Sequence, residues 1–86
     1  GKSRIEGRKL MKCLDDFQVA HRHPFGVKIK FGTQVDISPP HFVLFTNRHK
    51  GVLPTYVQAI RNELSQKFDL GGIFFRVTLK SETRSK

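Results

Sequence analysis

The strongest constraint on the fold is a two-residue alternation over residues 27–35. Val27, Ile29, Phe31, Thr33 and Val35 fall on one side and Lys28, Lys30, Gly32 and Gln34 on the other. That period belongs to a β-strand with one face on a core, because a helix would scatter the same residues around its axis. Asp36-Ile37-Ser38-Pro39-Pro40 follows. Prolines lack a backbone donor and fix φ, so a turn is expected there. His41 to Thr46 then reads as a second strand, apolar on both sides through Phe42, Val43, Leu44 and Phe45, as in a strand covered on both faces. Strands this close in sequence predict an antiparallel hairpin.

Helices are expected on either side of the hairpin. From Lys9 to about Ala20, Leu10, Cys13, Leu14, Phe17 and Ala20 recur at steps of three and four and form one apolar face. Pro24 and Gly26 end that segment. Pro54 suits the first turn of a second helix to about Phe68, with Tyr56, Val57, Ile60, Leu64 and Phe68 as its stripe. Gly71-Gly72 reads as a cap and turn. Residues 73–79 form a last alternating strand, with Phe75, Val77 and Leu79 on one face and Phe74, Arg76, Thr78 and Lys80 on the other. The predicted fold is α+β, in the order α-β-β-α-β. Both helices are expected on one face of a three-stranded sheet, with the second helix crossing over to the last strand. Residues 1–8 read as a flexible lead-in or linker, 9–80 as the domain and 81–86 as a basic disordered tail.

Composition narrows the function classes. Eight Phe and one Tyr among 86 residues are enough apolar material for a single core without metal or disulfide. The lone Cys13 cannot form an internal bridge, and no apolar run has the length of a membrane span or the form of a leading signal. A cytoplasmic, monomeric domain with no membrane partner is expected. Sixteen Lys and Arg against seven Asp and Glu give a net charge of +9. The sequence pI of about 10.3 makes a polyanion the leading partner class.

With the strands placed, Lys28-Ile29, Thr33-Gln34, Pro39-Pro40, Phe42-Val43-Leu44-Phe45 and Asn47 resemble the KH-like C-terminal domain of the Der (EngA) double-GTPase ribosome-assembly family. Leu53-Pro54, Tyr56, Asn62, Leu64, Phe68, Gly72 and Arg76 continue the resemblance in register, and Arg4-Ile5, Leu10 and Leu14 extend it backwards. Lys30, Ser65 and Ile73-Phe74 depart from the family pattern. The resemblance implies a KH-like two-layer sandwich and a parent with two GTPase domains. GTP and Mg would belong to that parent, with no cofactor in this chain. Its implied partners are the large ribosomal subunit or its rRNA, and the GTPase domains of the same parent.

The chemistry of an enzyme is not written in the sequence. A GTPase needs a Gly-rich loop ending in Lys-Ser or Lys-Thr, and a KH domain that clamps RNA needs Gly-x-x-Gly; neither motif occurs. His21, His23, His41 and His49 lack the paired short spacings of a structural zinc site, and Cys13 belongs to the apolar stripe. A non-catalytic domain with no metal site is expected.

Two residue sets then carry the functional expectation. Lys28, Lys30, Arg76 and Lys80 should project from the sheet face opposite the helices, with Arg48, His49 and Lys50 in one loop and Arg84 and Lys86 in the tail extending the charge. Contact with rRNA phosphates through this basic surface is one reading. Val43 and Phe45 (or Phe42 and Leu44), joined by Phe74, should form an apolar cluster on the same face. That cluster would either stack bases or pack on the GTPase domains. Family architecture favours packing for that cluster. The expected function is a non-catalytic accessory domain of a ribosome-assembly GTPase that contributes to large-subunit recognition through the basic surface; the alternative is an intramolecular regulatory module packing on the GTPase domains with little direct RNA binding.

Overall fold

The computed structural model describes residues 4–48 and 50–81. Its elements are α1 (Gly7–Ala20), β1 (Ile29–Ile37), β2 (Pro40–Thr46), α2 (Pro54–Lys67) and β3 (Arg76–Ser81), in the expected α-β-β-α-β order. The sheet order is β1-β2-β3, with β1 antiparallel and β3 parallel to the central β2. The parallel pair is the one joined by a helix, as its geometry demands. No helix among the described residues is long and apolar enough to cross a membrane.

The core lies between the helices and the sheet. α1 contributes Leu10, Cys13, Leu14 and Phe17, and α2 contributes Tyr56, Ile60 and Leu64. Phe42 and Leu44 meet them from β2, with no solvent exposure. Each side chain of this size contributes about 1.5–3 kcal/mol when fully buried. Phe75, just ahead of β3, closes the core in a T-shaped contact with Phe42, and the Arg61 guanidinium of α2 lies 4.3 Å from its ring centroid.

The end of α1 and the start of α2 follow the expected signals, whereas α2 is capped at Phe68, ahead of the Gly71-Gly72 pair expected as its cap. His21 N–H donates to Phe17 O as the last bond of α1, and Pro54 occupies the first turn of α2. After Lys67 the chain leaves the helix through Asp69 (φ 56°) and turns at Gly72 (φ 77°). α1 starts two residues earlier than the sequence suggests. Ile5 packs against the core and donates its N–H to Gln34 Oε1 at 2.7 Å. Ordered contacts thus reach back to Arg4, inside the segment read as a flexible lead-in. Of the residues read as a disordered tail, Ser81 belongs to β3 and the others lie outside the described residues.

The largest departure is in β1. Its pairing with β2 shifts between Ile29 and Phe31 and again between Gln34 and Asp36. Each shift inserts an extra residue, and an extra residue reverses which face the following side chains take. Gly32 and Gln34 therefore turn to the helices, while Phe31 and Thr33 turn away, the reverse of the unbroken alternation expected from sequence. Gly32 is where α1 comes closest: a Cβ there would sit 2.6 Å from Leu14 Cδ1 and 2.9 Å from Leu44 Cδ2. Gln34 is buried and satisfied, donating to Asp36 O while accepting from Ile5.

α1 also covers the outer edge of β1. The Gln18 amide takes both backbone groups of Ile29, and Met11 Sδ lies 3.3 Å from Gly32 N. An open strand edge is a template for unwanted pairing, and these side chains block it.

Candidate nucleic-acid interface

The topology gathers basic residues that are far apart in sequence. Ile29 at the start of β1 and Ser81 at the end of β3 both pair with Thr46 at the end of β2. Lys28, Lys30, Arg48, Lys50 and Lys80 consequently lie at one end of the sheet. Arg76 is at the other end, paired with His41. Arg22, just beyond α1, joins the first group, lining a shallow depression with Gln18, Lys28 and Lys30. Lys28 and Lys30 thus sit at the outer edge of β1 beside α1. Only Arg76 and Lys80 occupy the open face expected for all four.

The connections at the basic end are tied together by hydrogen bonds. Asn47 is the central staple: its N–H donates to Lys28 O at 3.0 Å, its Oδ1 accepts from Lys28 N–H at 2.8 Å, and its Nδ2 donates to Gly26 O at 3.0 Å. The buried Thr46 hydroxyl donates to Arg48 O at 2.6 Å, and Arg48 Nη1 donates to Phe25 O at 3.3 Å. His23 is buried edge-on to Tyr56, with Phe25 N 3.0 Å from Nδ1 and Leu53 N 3.0 Å from Nε2. A neutral imidazole accepts at one nitrogen only, so one of these approaches is the hydrogen bond and the other a close contact. His23 thereby joins the segment after α1 to the start of α2.

Electrostatics at this end are mainly positive, although Asp15 of α1 lines the same depression as Arg22, Lys28 and Lys30. Lys28, Lys30, Lys50 and Lys80 are exposed. The ion pairs among the described residues are Arg8 with Glu6 and Lys12 with Asp16, both at α1 and away from this group. α2 begins here with no acidic residue in its first turn, so its positive pole adds to the field. His49 lies outside the described residues, as do Arg84 and Lys86.

The open face of the sheet follows from the register. Because Phe42, Leu44 and Thr46 point into the core, their β2 neighbours His41, Val43 and Phe45 point away. Phe31 and Thr33 of β1, and Arg76, Thr78 and Lys80 of β3, share that open face. Phe31 and Phe45 lie side by side with centroids 6.2 Å apart and planes 32° apart. His41 Nε2 is 2.8 Å from Thr78 Oγ1. Of the two pairs open to that face in the sequence, Val43 and Phe45 thus take it and Phe42 and Leu44 do not, with Val43 largely covered by its neighbours.

Phe74 does not join them. It precedes β3, is 70% exposed, and lines a groove with Ile37, Pro39, Pro40, Leu70 and Ile73. Phe31 takes its place in the aromatic cluster. Alternation alone hid Phe31, because no residue type announces the extra position at Lys30. Cys13 is a core residue whose thiol is pushed up to about 11, by burial first and then by the Glu63 charge. Among the described residues, no group of three or more His, Cys, Asp or Glu side chains is placed to hold a metal ion.

Comparison with known proteins agrees with this architecture. The family model described as the KH-domain-like C-terminal domain of EngA bacterial GTPase enzymes matches residues 4–80. The chain is 38% identical to the GTPase Der of Bartonella henselae, over 96% of the chain and 19% of that protein. It is 37% identical to the GTPase Der of Geobacter metallireducens and 32% identical to that of Trichlorobacter lovleyi, each over 94% of the chain and 19% of the relative. The chain therefore spans about a fifth of the length of these relatives. With its helix and strand order and a match covering nearly every described residue, the chain belongs to the KH-domain-like family found at the C-terminus of EngA bacterial GTPases.

Proposed function

We propose that this domain is a non-catalytic accessory part of a ribosome-assembly GTPase, and that it helps its parent recognise the large ribosomal subunit through rRNA phosphates. The observation that carries this reading is the collection of Lys28, Lys30, Arg48, Lys50 and Lys80 at one end of the sheet, without carboxylate partners among the described residues. Cations fixed on a hydrogen-bonded frame favour phosphate contact that is independent of base sequence and steeply salt-dependent. Nucleotide chemistry, with its GTP and Mg, falls to the parent's GTPase domains, and the whole acts in the cytoplasm. In the full-length parent, Lys28→Glu with Lys50→Glu should weaken ribosome and rRNA binding at least tenfold. Unchanged binding at low salt would reject the reading.

A second reading is favoured by one observation. Arg4 and Ile5, where the preceding part of a parent would join, line the same groove as Phe74. A GTPase domain attached there is held beside an exposed apolar surface, so packing on it would have little translational entropy left to lose. Phe74→Asp in the parent should then alter GTP turnover while the isolated domain still folds. Unaltered turnover would leave the rRNA reading alone.

A further inference from the structure

We infer that the open sheet face carries a site for single-stranded RNA, in which Phe31 and Phe45 stack bases and Lys80 neutralises an adjoining phosphate. This rests on the reading that the basic end meets RNA, and adds to it a second chemistry on a different surface.

Phe31 is the first ground. The rings of Phe17, Phe42 and Phe75 are all at least nine-tenths buried, whereas Phe31 is 49% exposed. It faces outward because of the register shift between Ile29 and Phe31; without that shift the ring would enter the core. Bulges of this kind re-aim side chains beside functional sites. Here the result is two aromatic rings side by side on adjacent strands, 6.2 Å between centroids. That arrangement suits sheet surfaces that stack successive unpaired bases.

The surroundings are the second ground. Lys80 pairs with Phe45 in the register, and Lys30 immediately precedes Phe31, so a cation adjoins each ring on the side that continues into the basic end. On its α1 side Phe31 lines a depression of mixed charge, with Lys12, Asp15 and Asp16. Thr33, Thr78 and His41 share the face and supply hydroxyl and imidazole groups suited to base edges or a 2′-hydroxyl. Asp36, paired with His41, brings its carboxylate to the far end.

Size distinguishes RNA from a protein partner. Three strands about 4.8 Å apart, each with about six residues at ~3.3 Å per residue, give a face of roughly 300 Å². A stable protein interface takes about 800 Å² from each partner and has an apolar centre. This face has a short aromatic strip between threonines and cations. Two or three nucleotides cover it.

The test compares this 86-residue chain with its Phe31→Leu/Phe45→Leu and Lys28→Glu/Lys50→Glu variants by fluorescence anisotropy. The ligands are a labelled oligouridine of about ten nucleotides, within the span of small single-strand sites, and an RNA duplex. Circular dichroism verifies the fold of each variant. The leucine pair should lose roughly 10- to 100-fold on the single strand and keep its duplex affinity, whereas the charge reversal should lose affinity for both. In the wild-type chain, NMR shifts at Phe31 and Phe45 should follow the single strand and not the duplex. Equal single-strand affinity in the leucine pair overturns the stacking site and leaves the phosphate reading intact. Full affinity of the charge-reversed chain for both ligands overturns the phosphate reading itself. Shifts at Phe31 and Phe45 with the parent's GTPase domains, and none with the oligonucleotide, make the face a protein contact and overturn the inference.

Discussion

The side chain of Gln18 hydrogen-bonds Ile29 as a neighbouring strand would, accepting from its N–H at 2.7 Å and donating to its carbonyl at 3.2 Å. One glutamine on α1 thus fastens the helix to the first residue of the edge strand, beside Lys28 and Lys30. Gln18→Ala leaves both backbone groups of Ile29 without these partners and should destabilise the domain by about 1–2 kcal/mol. Urea unfolding measures the loss, and faster amide exchange at Ile29 would locate it.

Gly32 tests the bulged register. The methyls of Leu14 and Leu44 occupy the space a side chain would need, so Gly32→Ala should cost about 1–3 kcal/mol through overpacking. At about 4–8 °C per kcal/mol for a domain of this size, the melting temperature should fall clearly. Had β1 kept an unbroken alternation, Gly32 would face solvent and the substitution would be nearly silent.

Burial holds the Cys13 thiol protonated to about pH 11. A thiol raised in the folded state contributes stability that is complete below the unfolded value of 9.0 and is lost as pH rises from there to about 11. Across that window Cys13→Ala should show a shallower decline of stability with pH than the parent sequence, measured by denaturant midpoint. A thiol reagent should label Cys13 only as fast as the chain unfolds.

Both helices and β2 were legible because their signals are local. Leu10, Leu14 and Phe17 mark a helical stripe, Pro54 marks a helix start, and Phe42 to Phe45 mark a buried strand. The family resemblance likewise lay in the residues themselves. β1 was found but its faces were not, since alternation carries no record of an extra residue and neither Gly32 nor Gln34 advertises burial. Phe74 was assigned to the sheet because it continues the period of Arg76 and Thr78, yet β2 begins only at Pro40 and offers it no partner. The basic residues were expected together on the open face, which holds for Arg76 and Lys80 alone. Their gathering at one end depends on an antiparallel pair followed by a parallel one, which brings the start of β1 to the ends of β2 and β3.

The central claim is that this gathered charge meets phosphate, and the salt dependence of RNA binding by the 86-residue chain tests it most directly. Release of counterions by about five phosphate contacts gives a slope of log affinity against log salt of roughly −3.5 to −4.5, and removing one lysine with Lys50→Ala should shrink that slope by about 1. A slope near zero, or one that Lys28→Ala and Lys50→Ala leave unchanged, would contradict the account.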